Sequence, residues 1–116
     1  MRKWLFGAVA LAVLPAWAHA SSYDGKAIAN EQDGRNWLAY GRTYSEQHSS
    51  PLEQINSENV SRLGLAWSLD LPGVHNGLTV PLAVDGVVYF TVDQSLVHAV
   101  DARSGKLLWR FDPEVY

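Results

Sequence analysis

Cysteine is absent from the 116 residues. No disulfide, thiolate metal site or covalently attached c-type haem can therefore be built from this chain. A lipid-modified N-terminus, which needs a cysteine, is excluded too. Basic charge is also scarce: nine Lys and Arg stand against 12 Asp and Glu, for a net charge of −3. Such a balance gives no electrostatic footprint for nucleic acid or an anionic membrane surface. Long apolar runs are lacking except at residues 4–14, and that run falls short of the ~20 residues a membrane span requires. Arg2 and Lys3 precede it and Ala18-His19-Ala20 follows it, the pattern of an export signal cleaved after Ala20. The chain is thus expected in the periplasm with no membrane span once processed. His48, His75 and His98 lack metal-ligand spacing, and no acid, base or nucleophile pattern stands out. No catalytic residue and no metal ligand is assigned.

Residues 21–35 are polar and suit a surface arm, with a short helix conceivable at 26–32. Residues 36–52 are too aromatic for a free linker yet follow neither helical nor strand period. Trp37, Tyr40 and Tyr44 are expected to pin this segment to a larger body. Residues 56–63 suit one or two helical turns, capped by Asn56 or Ser57 and ended by Gly64. The domain division is therefore 1–20 signal, 21–64 irregular arm, and 65–116 a β unit.

The β unit carries the strongest local signals. Asp85-Gly86 is a two-residue hairpin turn between the apolar runs 80–84 and 87–92. Asp101 to Gly105 is a polar turn between 96–101 and 106–112, with Asp101 and Ser104 placed to bond its amides. Four antiparallel strands follow. The run Val87-Val88-Tyr89-Phe90-Thr91-Val92 is apolar on both faces, as in a strand covered on both sides. Leu65-Ala66-Trp67-Ser68-Leu69-Asp70 shares its pattern with Leu107-Leu108-Trp109-Arg110-Phe111-Asp112. The two tryptophans stand about forty residues apart, close to the ~40–45-residue period of four-stranded propeller blades. The fold class expected is all-β, one blade (80–112) of a β-propeller with a closing strand (65–71) and an irregular N-terminal arm.

Ala99-x-Asp101-x-x-x-Gly105-Lys106-x-x-Trp109 resembles the tryptophan-docking motif of the pyrroloquinoline quinone (PQQ) dehydrogenases, with Ser104 where Thr is usual. Trp37-x-x-Tyr40-Gly41-Arg42-Thr43-Tyr44-Ser45, Ser50-Pro51-Leu52-x-Gln54-Ile55-Asn56 and Asn59-Val60-x-x-Leu63-x-Leu65-Ala66-Trp67 are similar to the N-terminal region of soluble methanol and ethanol dehydrogenases of that family. The resemblance implies an eight-bladed propeller holding PQQ and calcium, or a lanthanide, with an alcohol as substrate and a cytochrome c as electron acceptor. It makes Trp67, Asp101, Gly105 and Trp109 a structural docking set. The family's glutamate beside PQQ falls on Leu78, leaving Thr79 as the one residue here expected near the cofactor. The family's vicinal cysteines, metal ligands and catalytic aspartate have no match in this sequence, which ends just after one blade. The expectation is an N-terminal fragment inactive by itself. A non-catalytic periplasmic propeller scaffold is the alternative, disfavoured because such scaffolds are lipoproteins and lack the 37–52 segment.

Overall fold

A computed structural model describes residues 23–77, 79–93 and 95–115. The export signal assigned to residues 1–20 lies outside the described residues. Four strands form a single antiparallel sheet in sequence order: β1 (Leu82–Val84), β2 (Val87–Val92), β3 (Leu96–Asp101) and β4 (Leu107–Phe111). They fall within one or two residues of the expected strands. Asp85 and Gly86 both adopt positive φ (49° and 79°), the twist-matching geometry that favours Asp-Gly in a two-residue hairpin. Val84 accordingly faces Val87 across the turn. Ala99 pairs with Trp109 and Val100 with Leu107, so Leu108 is the extra residue of a bulge in β4.

The core lies at the centre of the sheet. Ala99 and Val100 on β3 are fully buried, and Val92 is 5% exposed. In the row Tyr89–Ala99–Trp109 the small central residue lets the flanking rings meet, their centroids 5.9 Å apart. In the row Phe90–His98–Arg110, the His98 ring stacks on Phe90 at 5.2 Å and 6°. His98 is therefore a buried packing residue.

Coverage is that of a blade without its neighbours. β2 is only half-buried along most of its length, and every residue of β4 is exposed. Trp109 is 47% exposed. One sheet can bury one side of such strands at most, and no second layer covers β4 among the described residues.

The arm is mostly irregular, with helix α1 (Gly25–Ala29) and a 3-10 turn (Val60–Arg62). Asp24 caps α1 by accepting from the amides of Lys26 and Ala27. Asn56 accepts from the Glu58 amide with its side chain and from Val60 with its carbonyl, organising the second turn. Of the three aromatic pins, Trp37 holds, and it does so through its backbone. It exchanges two main-chain bonds with Ala83, of 2.7 and 3.0 Å, adding a one-residue bridge to the free edge of β1. Tyr40 and Tyr44 are 59% and 65% exposed, so neither anchors the arm in this chain. The anchoring falls instead to polar groups. Asn36 Oδ1 accepts from the Asp85 amide at 2.9 Å, and the Tyr23 hydroxyl donates to Asp85 Oδ1. The Arg42 guanidinium is buried and donates to the carbonyls of Ser49 and Asp33.

Candidate functional site

Residues 65–71 form no regular element and make no ladder with the sheet. The closing strand is realised only as a segment that delivers Trp67 to the turn between β3 and β4. That turn is self-made. Asp101 Oδ1 accepts from the Arg103 amide, the Ser104 amide (2.7 Å) and the Ser104 hydroxyl (2.6 Å). The Gly105 amide donates to the Asp101 carbonyl, and Gly105 takes φ +72°, open to glycine without strain. The Trp67 ring lies flat against Gly105: a Cβ there would stand 2.6 Å from ring atoms Cδ2 and Cε3. Trp67 Nε1 donates to the Ala102 carbonyl at 3.0 Å. The Ala102 amide in turn donates to the Gly86 carbonyl, tying both hairpin turns together at that end of the sheet. Trp67, Asp101 and Gly105 thus converge on one seat. Trp109, the fourth member of the set, has its ring beside Tyr89 instead.

The bonds to Asp101 favour its ionised form. Its pKa lies below the usual carboxylate range, first through the Ser104 hydroxyl, then through the Ser104 and Arg103 amides. A depressed carboxylate pKa stabilises the fold above the unfolded-state value of ~3.9, and the contribution fades as pH falls through the lower folded value. Ser104→Ala is therefore expected to lower the urea midpoint at neutral pH. Its deficit relative to wild type should shrink as pH falls below the unfolded-state value and through the lowered folded one. A deficit independent of pH would show that the hydroxyl acts through packing alone.

Thr79 sits at the opposite end of the sheet, where the chain enters β1. Its hydroxyl donates to the Thr91 carbonyl at 2.6 Å and accepts from the Thr91 amide at 3.2 Å. The side chain thereby extends the ladder of β2, and its single proton is committed to main chain. Leu78, the position matched to the family glutamate, lies outside the described residues. A cleft of about 490 Å³ opens at this same end, lined by Gly73, His75, Asn76, Asp93, Leu96 and Asp112. The Asp93 carboxylate accepts from the amides of His75 and Asn76 and so folds the loop in front of β1. Among the described residues no three His, Asp or Glu side chains converge as a bound cation would need. With the Thr79 proton already engaged, the donors here do not fit a complete quinone and metal site.

Several contacts had no sequence signal. Asn36, Asp85 and Asp93 each act on a segment at least 17 residues away. Short polar side chains in turns announce local bonds, and nothing in their spacing announces a distant partner.

The chain matches, over residues 37–116, the family described as the glucose/ethanol/alcohol dehydrogenase β-propeller domain. It is 53% identical over 102 residues to quinohemoprotein alcohol dehydrogenase ADH IIB of Pseudomonas putida, covering 87% of this chain and 15% of that one. It is 47% identical over 116 residues to the dehydrogenase subunit of the quinone alcohol dehydrogenase of Komagataeibacter europaeus, covering 94% and 16%. The crystal structure of quinohemoprotein alcohol dehydrogenase from Comamonas testosteroni superposes with a TM-score of 0.73 at 38% identity, covering 80% of this chain and 14% of the other. A europium-containing methanol dehydrogenase superposes at 0.68 with 28% identity, covering 80% and 17%. The chain spans about 15% of the length of the first of these relatives. By its motifs, its sheet and these likenesses, the chain belongs to the PQQ-dependent alcohol dehydrogenase β-propeller family.

Proposed function

We propose that this chain supplies the N-terminal arm and first blade of a periplasmic PQQ-dependent alcohol dehydrogenase that oxidises an alcohol to an aldehyde. The observation that carries the reading is the Trp67 seat on Gly105, a blade-docking contact built into a sheet similar to those of quinohemoprotein alcohol dehydrogenases. A cytochrome c as acceptor is supported by the name of one relative, the 1-butanol dehydrogenase (cytochrome c) of Thauera butanivorans, 46% identical over 82 residues. The europium-containing neighbour supports a metal in the whole protein. No helix among the described residues is long and apolar enough to cross a membrane. Export through a signal cleaved after Ala20 is part of the same reading.

The role of these residues is architectural. Alcohol oxidation through a quinone needs cofactor, metal and base held within hydrogen-bonding reach, and the described residues bring no cation-binding cluster together. Thr79 would then line the approach to the cofactor, accepting a hydrogen bond through its remaining lone pair. The chain purified alone and supplied with PQQ and Ca²⁺ is expected to give no ethanol-dependent dye reduction above a PQQ-only blank. Grafted in place of the matching segment of a quinohemoprotein alcohol dehydrogenase, it is expected to support turnover. Turnover by the isolated chain, or an inactive but folded graft, would overturn the reading.

A further inference from the structure

We propose that Asn76-Gly77 is a site of spontaneous deamidation, and that the change releases the loop held by Asp93. Five asparagines occur in the chain, and four have their side-chain amides engaged. Asn30 accepts from the Gln32 amide. Asn36 accepts from the Asp85 amide and donates to Asp33. Asn56 accepts from Glu58 and donates to the Glu53 carbonyl. Asn59 accepts from Asn56 and donates to the Gln54 carbonyl. Asn76 differs. Its backbone is bonded on both sides to Asp93, at 2.7 and 2.8 Å, while its exposed side chain makes no hydrogen bond to the described residues.

The following residue is glycine, and the space beside it is open: a Cβ at Gly77 would meet nothing closer than Val92 Cγ1 at 3.9 Å. No side chain therefore screens the Gly77 nitrogen. That nitrogen attacks Asn76 Cγ, the Cγ–Nδ2 bond breaks, and ammonia leaves with the proton lost by the Gly77 amide. Water then opens the cyclic imide at either carbonyl, giving aspartate or isoaspartate. No oxidant or reductant is involved.

Either product adds a negative charge to residue 76, whose backbone amide the Asp93 carboxylate holds together with that of His75. Like charges repel. Isoaspartate also lengthens the main chain by one methylene, so residue 76 can no longer offer both its amide and its carbonyl to Asp93. The loop that walls the 490 Å³ cleft and leads into Thr79 is then freed.

Trypsin reads the site directly, because the peptide spanning residues 63–103 contains Asn76 as its only asparagine. The full chain, aged at mildly alkaline pH in heavy-oxygen water, is expected to yield this peptide as two acid isomers, each carrying one solvent oxygen. Peptides holding the other asparagines should stay unchanged, and Gly77→Ala should lose the signal over the same interval. An unmodified 63–103 peptide, or equally fast conversion at Asn56, would overturn the assignment. The amides of residues 75 and 76 should exchange hydrogen faster in aged protein than in fresh protein. Equal protection would refute release of the loop.

Discussion

Gly105→Ala is expected to destabilise the chain by about 3 kcal/mol, from two additive causes. The first is steric. An added Cβ would lie 2.6 Å from the Trp67 ring atoms Cδ2 and Cε3, and a rigid indole cannot fold away like the tip of a lysine. Forcing a group into filled space costs ~1–3 kcal/mol. The second is conformational: φ at residue 105 is +72°, where an L-residue with a Cβ loses ~1–2 kcal/mol relative to glycine. As the indole lifts, its Nε1 bond to the Ala102 carbonyl breaks as well. Urea unfolding followed by tryptophan fluorescence checks this, with Gly86→Ala as the comparison. Gly86 has φ +79°, but a Cβ there meets nothing within 4 Å, so only the conformational part should appear. Equal midpoint losses for the two variants would show that the Trp67 seat contributes nothing.

Trp67→Ala and Trp109→Ala should separate in this chain and converge in a complete propeller. Trp67 is partly buried on Gly105 and hydrogen-bonded, so its truncation is expected to cost about 3 kcal/mol, the low end of ~3–5 kcal/mol for a buried tryptophan. Trp109 is 47% exposed and touches Tyr89 at a centroid distance of 5.9 Å, so its truncation here should cost roughly 1 kcal/mol. In a full-length graft, where the next blade would cover β4, Trp109→Ala should rise to ~3–5 kcal/mol. Denaturant midpoints of both variants in both settings measure the change. A Trp109→Ala loss that stays small in the graft would mean that the second tryptophan is not a docking residue.

The sheet was legible in the sequence because its determinants are local. Asp85-Gly86 specifies a tight hairpin through two positive φ values, and Asp101 with Ser104 writes the second turn through bonds to amides two and three residues on. Apolar, β-branched runs mark the strands between them. The repeated Leu-x-Trp pattern picked out both Trp67 and Trp109, yet the two have different surroundings here, Trp67 against Gly105 and Trp109 beside Tyr89. Tyr40 and Tyr44 misled for an equally physical reason. Aromatic density signals that a surface needs covering, and says nothing of whether the covering partner lies within the same 116 residues.

What the sequence by itself determined is the order of four antiparallel strands, the two turns that set their register, and membership of a propeller family. Each depends on residues within a turn or a strand of one another, or on motifs carried whole. What only the tertiary structure decided is where the distant segments meet. It placed Trp37 on the edge of β1, Asn36 on Asp85, Asp93 under the loop at Asn76, and the Thr79 proton on Thr91. It also left Trp109 half uncovered while Trp67 found its seat, although both stand in the same pattern. Burial belongs to a pair of surfaces, and a linear pattern specifies only one of the two.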